Sequence, residues 1–184
     1  MNKGIRESTG DIIGFLNSDD FYPSSSSLKR VAEAFKNPDI RACYADLCYV
    51  DGQDVSRIVR YWKSSRFVPG LFLDGWCPPH PTFFVRRNIY EQYGEFDLNY
   101  KIAADVELMM RFLERHSIPV VYIPEILVHL RMGGETNKSL KNIFRQNLEI
   151  WNALRQQGLN PSFFRFTLGK ILSRSKQFLL KPTL

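Results

Sequence analysis

The stretch from Asp11 to Asp20 constrains the fold more than any other part of this sequence. Its apolar run, Ile12 to Leu16, is too short for a helix and lies between Gly10 and polar residues. Such a run is typical of a strand that is buried on both faces, as in the middle of a mostly parallel sheet. We therefore expect an α/β fold organised around this strand.

The predicted strand runs directly into the polar turn Asn17-Ser18-Asp19-Asp20. In open α/β sheets, ligands bind just beyond the carboxyl ends of the strands. Two adjacent carboxylates at that position suit a hard divalent cation, which prefers oxygen ligands and is often shared with substrate phosphates. The same residue types also favour a turn or a helix N-cap. The residues of this turn alone leave both interpretations open.

Length and composition narrow the class of protein. A chain of 184 residues with 44% hydrophobic and 24% charged residues is typical of a single globular domain. Polar first residues predict no secretory signal, and no apolar run is long enough to span a bilayer. Cys43, Cys48 and Cys77 lack CxxC spacing, so we expect reduced thiols and a cytoplasmic protein.

Charge divides the chain into a slightly acidic body, residues 1–137, and a basic tail, residues 138–184. The tail carries nine Lys and Arg residues against the single acid Glu149. A basic tail implies an anionic partner, either nucleic acid or a membrane surface. Because the chain has no recognisable nucleic-acid reader motif, we expect no nucleic-acid partner.

Helical periodicity predicts five helices. The spacing predicts a helix over residues 28–35, a second over 87–93 that Gly94 ends, and a third over 103–115 that carries Asp105 in its first turn. The tail predicts helices over residues 139–157 and 161–180. Strands are predicted at residues 43–50, 56–61, 82–85, 120–123 and 126–130, the last two separated by Pro124-Glu125.

An ordered set of short motifs resembles the family 2 glycosyltransferases, and in particular the bacterial branch that builds cell-envelope polysaccharides. Each motif is weak alone, but together they extend from residue 2 to about residue 180. The motifs are Asn2-Lys3-Gly4-Ile5, Thr9 to Ile13, Asn17 to Asp20, Tyr44-Ala45-Asp46, Tyr49-Val50-Asp51, His80 to Val85, Gly94 to Asp97, Ala103-Ala104-Asp105 with Glu107-Leu108, and Arg131 to Gly134.

The resemblance implies a GT-A fold, a Rossmann-like mixed sheet between helices. It also implies a nucleotide-diphosphate sugar as donor, a glycan or lipid-linked acceptor, and Mg²⁺ or Mn²⁺ as cofactor. By this resemblance Asn17-Ser18-Asp19 stands at the family's metal-binding Asp-x-Asp motif, so Asp19 would hold the metal with Asn17, and Asp20 would support it or bind substrate. Asp105 matches the general base of inverting members, and a helix N-terminal cap is its structural alternative.

Four further residues are candidates for the same site. The resemblance places Asn2 among the substrate-binding residues. His80 follows a proline-rich loop and is as well explained by contact with substrate as by a structural role. His129, in an apolar strand, is a late metal-ligand candidate, although a hydrogen-bonded core histidine is the favoured interpretation. Arg131 beside Gly133-Gly134 could bind a phosphate or be a surface charge.

Family members normally begin with a nucleotide-binding portion ahead of the segment that matches Asn2. Residues 1–137 are therefore expected to be the C-terminal portion of an incomplete GT-A domain, from a truncated product, a misassigned start or a fragment that needs a partner. The alternative to a catalytic chain is a non-catalytic remnant that acts as a binding or assembly module.

The last predicted helix is amphipathic. Its apolar residues fall in one stripe, and basic residues up to Lys181 flank them. Such a helix can lie in a membrane interface, here at the inner face of the plasma membrane. It can equally pack its apolar stripe on its own domain with the basic side chains reaching solvent. The stripe consists of Phe164, Leu168, Ile171, Leu172, Phe178 and Leu179.

Overall fold

The structure is a computed structural model that describes residues 1–132, 140–180 and 182. Among these residues a mixed sheet is flanked by helices, which confirms the expected α/β class. The elements in chain order are α1 (Asn2–Glu7), β1 (Ile12–Ile13), α2 (Ser27–Ala34), β2 (Ala42–Val50), β3 (Ile58–Trp62), β4 (Phe84–Arg86), α3 (Arg87–Tyr93), α4 (Ala104–Met110), β5 (Val120–Arg131), α5 (Leu140–Gln156) and α6 (Phe163–Leu179).

Strand β2 is the centre of the sheet. All nine of its residues are buried, and it pairs in parallel with β5 along its whole length. Its other edge pairs antiparallel with β4 near its start and with β3 near its end. Alternate β2 side chains join two separate hydrophobic clusters, one on each face of the sheet. The buried-both-faces pattern therefore belongs to β2.

The expectation that Ile12 to Leu16 forms the central strand is wrong. Only Ile12 and Ile13 pair, antiparallel with β4, and they lie at the end of the strand order. Pairing stops at Gly14, where a Cβ atom would lie 2.4 Å from the Phe84 ring. The paired strand ends where the backbone passes so close to this ring that only glycine fits.

Most of the other predicted elements are confirmed, with one strand merged. Residues 120–131 form one strand, and Pro124-Glu125 produces an irregularity in its pairing with β2, where Ala45 faces Ile123 and Asp46 faces Ile126. Proline cannot donate a ladder hydrogen bond, so the strand accommodates it by a bulge. The predicted helix over residues 103–115 begins as α4 and ends as a π-helical turn, Arg111–Arg115.

Helices α3, α4 and α5 cover one face of the sheet, and α2 covers the other. Ile150, Ala153 and Leu154 of α5 and Phe166 of α6 belong to the same buried cluster as the α4 side chains. Val31 and Phe35 pack on the opposite face. The sheet is thus the middle layer of three, and the ends of its strands are left accessible.

Helix α6 packs on this domain with the face opposite to its apolar stripe. Phe166 and Gln177 are its buried residues, and Gly169 approaches Asp74 so closely that a Cβ would lie 2.1 Å from the Asp74 carbonyl oxygen. The stripe faces outward, with Phe164 83% and Leu179 79% exposed. The alternative interpretation, in which the stripe packs on its own domain, is therefore wrong. Among the described residues, no helix is long and apolar enough to cross a membrane.

Candidate functional site

A cavity of about 580 Å³ opens where β2 and β5 end. The turn after β1 forms one side, the start of α4 forms another, and α6 closes a third. Asp19 and Asp105, which are far apart in the sequence, both line it. The predicted site residues that line this cavity are Asn17, Asp19, Asp20, His80, Asp105 and Arg131.

The acidic turn is held by hydrogen bonds within it and immediately after it. Within it, the Asp20 N–H donates to the Asn17 carbonyl at 3.1 Å, and Asn17 Nδ2 donates to Asp20 Oδ2 at 2.8 Å. Immediately after it, Phe21 and His129 exchange two backbone hydrogen bonds of 3.0 and 2.8 Å. The backbone of the turn is therefore anchored to the end of β5, and Asn17 holds the Asp20 carboxylate.

Asp20 is a buried carboxylate with one oxygen unsatisfied. The residue is 7% exposed, and its Oδ1 atom has no hydrogen-bond partner among the described residues. Burial raises the pKa of this carboxyl, the Asn17 hydrogen bond opposes the shift, and the charge of Asp19 adds to it. A buried oxygen without a partner costs free energy, so this position favours a bound cation or hydrogen-bond donor.

Asp105 lies in the first turn of α4, but another residue anchors that helix end. Glu149 Oε2, from α5, accepts the N–H groups of Ile102 and Ala103 at 2.8 and 3.0 Å. The residue before the helix, Ala103, makes no side-chain cap. Within the described part of the chain, Asp105 Oδ1 accepts the neighbouring Val106 N–H, at 2.8 Å, and no other hydrogen bond. The carboxylate of Asp105 is thus half-buried on the cavity wall and does not act as the helix cap.

His80 reaches the cavity from the short 3₁₀ helix His80–Thr82. Its ring stacks on Phe15 with a centroid distance of 5.9 Å and meets Phe96 edge-on, also at 5.9 Å. Burial lowers the pKa of His80, and the charge of Asp105 partly opposes this. The imidazole beside Asp105 is therefore held neutral near pH 7.

Asn2 and His129 are not among the residues that line the cavity. The Asn2 amide makes two hydrogen bonds with the Phe96 backbone, of 2.9 and 3.1 Å, so it holds the residue that packs on His80. The His129 ring meets Phe21 edge-on, and burial lowers its pKa. His129 contributes to the site through its backbone, which anchors the acidic turn.

Arg131 lines the cavity at the end of β5, with its guanidinium 5.3 Å from the centre of the Phe21 ring. It therefore lies beside the acidic turn. The predicted Gly133-Gly134 turn that follows it lies outside the described residues.

Sequence reasoning missed the third wall of the cavity. Arg60 of β3 and Lys170 and Arg174 of α6 line it, together with Tyr49 and Gln177. The sequence contains one indication of this wall: Lys170 and Arg174 are four residues apart and so lie on the same side of α6. The amphipathic pattern of this helix predicts that its basic side chains face solvent or lipid.

Two buried acids elsewhere have complete sets of partners. Asp46 of β2 is 1% exposed and accepts hydrogen bonds from the Tyr61 and Tyr122 hydroxyls and the Ser64 N–H, at 2.5, 2.7 and 2.8 Å. Glu107 of α4 pairs with Arg111 at 2.9 Å. These acids stabilise the fold, since they are satisfied by the protein itself.

The described residues contain no cluster of three or more His, Cys, Asp or Glu side chains that could hold a metal ion. A divalent cation shared with a diphosphate needs fewer protein ligands, because waters and phosphate oxygens complete its shell. The unsatisfied Asp20 oxygen and the oxygen-rich turn fit such an ion.

Similar proteins exist among curated sequences. The chain is 26% identical over 151 residues to a PGL/p-HBAD biosynthesis glycosyltransferase of Mycobacterium bovis, covering 82% of this chain and 57% of the relative. It is 26% identical over 147 residues to an uncharacterized glycosyltransferase of Nostoc sp., covering 74% of this chain and 44% of that protein. The chain thus spans about half the length of these relatives.

Solved structures share the fold. The structure of S. aureus TarS 1–349 superposes with a TM-score of 0.57 and 15% identity, over all of this chain and 54% of TarS. The same protein in complex with UDP gives a TM-score of 0.50 and 12% identity, over 98% of this chain and 51% of TarS. At these identities the likeness concerns the fold, which is that of TarS.

The family model described as Glycosyl transferase family 2 matches residues 1–112. The matched region includes β1, the acidic turn, β2 and the start of α4, and so contains both Asp19 and Asp105. Because this is more than half of the chain, the chain belongs to glycosyl transferase family 2.

Proposed function

We propose that this chain carries the catalytic site of an inverting, metal-dependent glycosyltransferase. Its donor is a nucleotide-diphosphate sugar, and its acceptor is a glycan or a lipid-linked molecule. The observation that carries the proposal is that Asp19 and Asp20, at the tip of the sheet, line the same cavity as Asp105, at the start of α4. One acid group is needed to hold the metal and a separate one to accept a proton, and this cavity has both.

Asp105 is the general base in this proposal. Its carboxylate would take the proton from the acceptor hydroxyl as that oxygen attacks the anomeric carbon of the donor sugar, a contribution of roughly 10²–10⁴-fold. Glu149 fixes the backbone on which Asp105 sits, so the base is held without using its own side chain as a cap. Neutral His80 beside it can exchange hydrogen bonds with substrate without adding charge.

Asn17, Asp19 and Asp20 would hold Mg²⁺ or Mn²⁺. When bound, the ion supplies Lewis-acid stabilisation of the charge that develops on the departing diphosphate. The chain's own contribution is to present oxygen ligands on a fixed turn. The unsatisfied Asp20 Oδ1 supports this assignment because a cation would offset its burial cost.

The similar proteins support the nature of the donor. TarS, which shares the fold, has been solved in complex with UDP, and the mycobacterial relative is named as a glycosyltransferase of PGL/p-HBAD biosynthesis. A nucleoside diphosphate in this chain would place its phosphates at the acidic turn. Arg131 lies beside this turn and is positioned to contact them.

Titration of UDP- and GDP-sugars into the protein, with and without Mn²⁺, tests the binding part of this proposal. We expect binding that requires the metal and is lost in Asp19→Asn. Absence of metal-dependent binding, both for this chain and for a chain extended upstream, would refute the proposal.

Sugar transfer tests the chemical part. We expect Asp105→Asn to retain metal-dependent nucleotide binding while transfer falls by roughly 10²–10⁴-fold. Glu114→Gln is the matched control, because Glu114 is a half-buried acid of the same helical segment that binds the Gly70 N–H away from the cavity. Nucleotide binding without transfer in the wild type would identify a binding or assembly module instead.

We also infer that α6 contacts an anionic membrane surface at the inner face of the plasma membrane. The helix exposes its apolar stripe, which the exposed side chains of Arg174 and Lys176 flank, and it contains no acid. Apolar burial in the lipid interface and attraction to anionic headgroups, about 1 kcal/mol per basic residue near the surface, would act together. A lipid-linked acceptor would then be reached from the membrane.

Sedimentation with vesicles tests this contact. We expect binding to vesicles that contain phosphatidylglycerol, weaker binding to phosphatidylcholine alone, and loss of binding in the double variant Leu168→Ser, Ile171→Ser. The control is Leu98→Ser, which removes an exposed leucine far from α6. Equal binding by all three proteins would contradict the proposal.

A further inference from the structure

The third wall of the cavity collects positive charge. Arg60 comes from β3, and Lys170 and Arg174 come from successive turns of α6. Among the described residues, no carboxylate lies within ion-pairing distance of any of the three. Lys170 and Arg174, unlike Arg60, lie beyond residues 1–112, the region that the family model matches.

Arg60 is held rigidly. Its guanidinium lies 4.5 Å from the centre of the Tyr49 ring and 5.4 Å from that of Phe178, and its Nε donates to Gln177 Oε1 at 2.7 Å. Because Gln177 is an uncharged acceptor, these contacts orient the cation but leave its charge uncompensated.

Lys170 is also fixed by neutral groups. Its Nζ donates to Asn147 Oδ1 of α5 at 2.5 Å and lies 5.2 Å from the centre of the Phe166 ring. Its side-chain stem packs so closely on Gly75 that a Cβ there would lie 2.8 Å from Lys170 Cγ. Burial, with a contribution from the nearby Arg174 cation, lowers the pKa of Lys170 to about 8.

Like charges held close together without a counter-charge destabilise the folded protein. An anion bound between them would relieve this repulsion, and the fork of an arginine and the ammonium of a lysine suit phosphate oxygens. This wall lies near the acids of the cavity. Burial raises the pKa of Tyr49, Arg60 and Arg174 oppose the shift, and Asp20 adds to it. Burial likewise raises the pKa of Cys77, Asp105 adds to the shift, and Lys170 opposes it. The wall thus faces the ligand that would occupy the cavity.

We propose that Arg60, Lys170 and Arg174 form a phosphate-binding site on the cavity wall that β3 and α6 build. Its ligand is a phosphate group that a substrate carries, either on the acceptor or in the nucleoside diphosphate. The identity of the ligand as a substrate rests on the proposed function, whereas the anion site itself does not.

Binding of small phosphates to the full chain tests the site. The probes are glycerol 1-phosphate without metal, and UDP and GDP with Mn²⁺, each titrated at one fixed ionic strength. The variants are Lys170→Gln and Arg174→Gln; Arg174 is exposed, so its loss leaves the packing intact. The control is Lys176→Gln, which removes the same charge from the same helix at an exposed position that does not line the cavity.

We expect each of the two variants to weaken phosphate binding by roughly tenfold, the loss of one charge-assisted contact, and the control to change it by less than about twofold. A loss confined to glycerol 1-phosphate assigns the site to an acceptor phosphate. A loss confined to UDP and GDP assigns it to the diphosphate of the donor.

Two results overturn the inference: no probe binds the wild type, or Lys170→Gln and Arg174→Gln bind every probe as Lys176→Gln does. These outcomes differ from a failure of the proposed function. If nucleotide binding requires Mn²⁺ and neither variant changes the binding of any probe, the proposed function stands and the anion site falls. If glycerol 1-phosphate binding is lost in the variants but no metal-dependent nucleotide binding exists, the anion site stands and the proposed function falls.

Discussion

Asp46 in the middle of the sheet and Asp20 at its tip are both buried carboxylates, but the protein treats them differently. Asp46 accepts three hydrogen bonds, two from Tyr61 and Ser64 and one from Tyr122, which is distant in the sequence. Asp20 accepts one from Asn17 and leaves its Oδ1 without a partner among the described residues. The comparison teaches that a carboxylate satisfied by the protein stabilises the fold, whereas one left partly unsatisfied on a cavity wall is available to a ligand.

The largest expected effect is on stability at Asp46. In Asp46→Asn an amide group replaces one acceptor oxygen and faces donors, so the free energy of unfolding should fall by about 3 kcal/mol. Urea denaturation at pH 7 measures this change. If Asp46→Asn is as stable as the wild type, the distinction between the two carboxylates fails.

Asp20→Asn should show the opposite behaviour. Because Asp20 Oδ1 has no hydrogen-bond partner among the described residues, replacement of Asp20 should change the free energy of unfolding by less than about 1 kcal/mol. Binding of Mn²⁺ in the presence of UDP should weaken by roughly tenfold or more, since a charged ligand oxygen is lost. Electron paramagnetic resonance of free Mn²⁺ measures this, with Asp97→Asn, away from the cavity, as the control. Unchanged Mn²⁺ affinity would contradict our interpretation of Asp20.

The pH dependence of stability sharpens the comparison. The pKa of Asp20 is raised in the folded protein, so ionisation opposes folding, and its destabilising effect appears as the pH rises above the unfolded-state pKa through the folded one. The stability of Asp20→Asn relative to the wild type should therefore increase as the pH rises above about 4, the unfolded-state pKa of an aspartate. Denaturation series of both proteins at several pH values check this. A difference that does not change with pH, or that decreases, would argue against the raised pKa.

The smallest expected effect concerns Lys170, a buried charge that is also only partly satisfied. Its pKa of about 8 means that the ammonium loses its proton as the pH rises through that value. Phosphate binding should therefore weaken severalfold from about pH 7 to about pH 9. In Lys170→Arg, which stays charged, this decline should disappear. Titrations of one phosphate probe across this pH range compare the two proteins, and an identical decline in both would show that Lys170 is not its source.

The sequence predicted those features whose cause is local. Helix α3 and its end at Gly94 follow from apolar spacing and from a glycine with φ of 89°, a conformation that other residues rarely adopt. The central strand was misassigned because Ile12 to Leu16 and the nine residues of β2 are both apolar runs, and periodicity does not reveal which one has neighbours on both sides.

The site was predictable in part, for a similar reason. The acidic turn and Asp105 were identified from ordered motifs, and the structure brings them to one cavity. The cationic wall was missed because the apolar stripe of α6 indicates which face should be buried, whereas in the structure the helix buries the face that carries Gln177 and Lys170. Close approach of Gly169 to Asp74, which depends on tertiary packing, determines that orientation.

Glu149 connects α5 to the candidate site. Its carboxylate connects that helix to the N–H groups of Ile102 and Ala103, immediately ahead of Asp105. The start of α4 is therefore tied to the position of α5. A displacement of α5 would move the backbone that carries Asp105, the base in the proposed function, without any change inside the cavity.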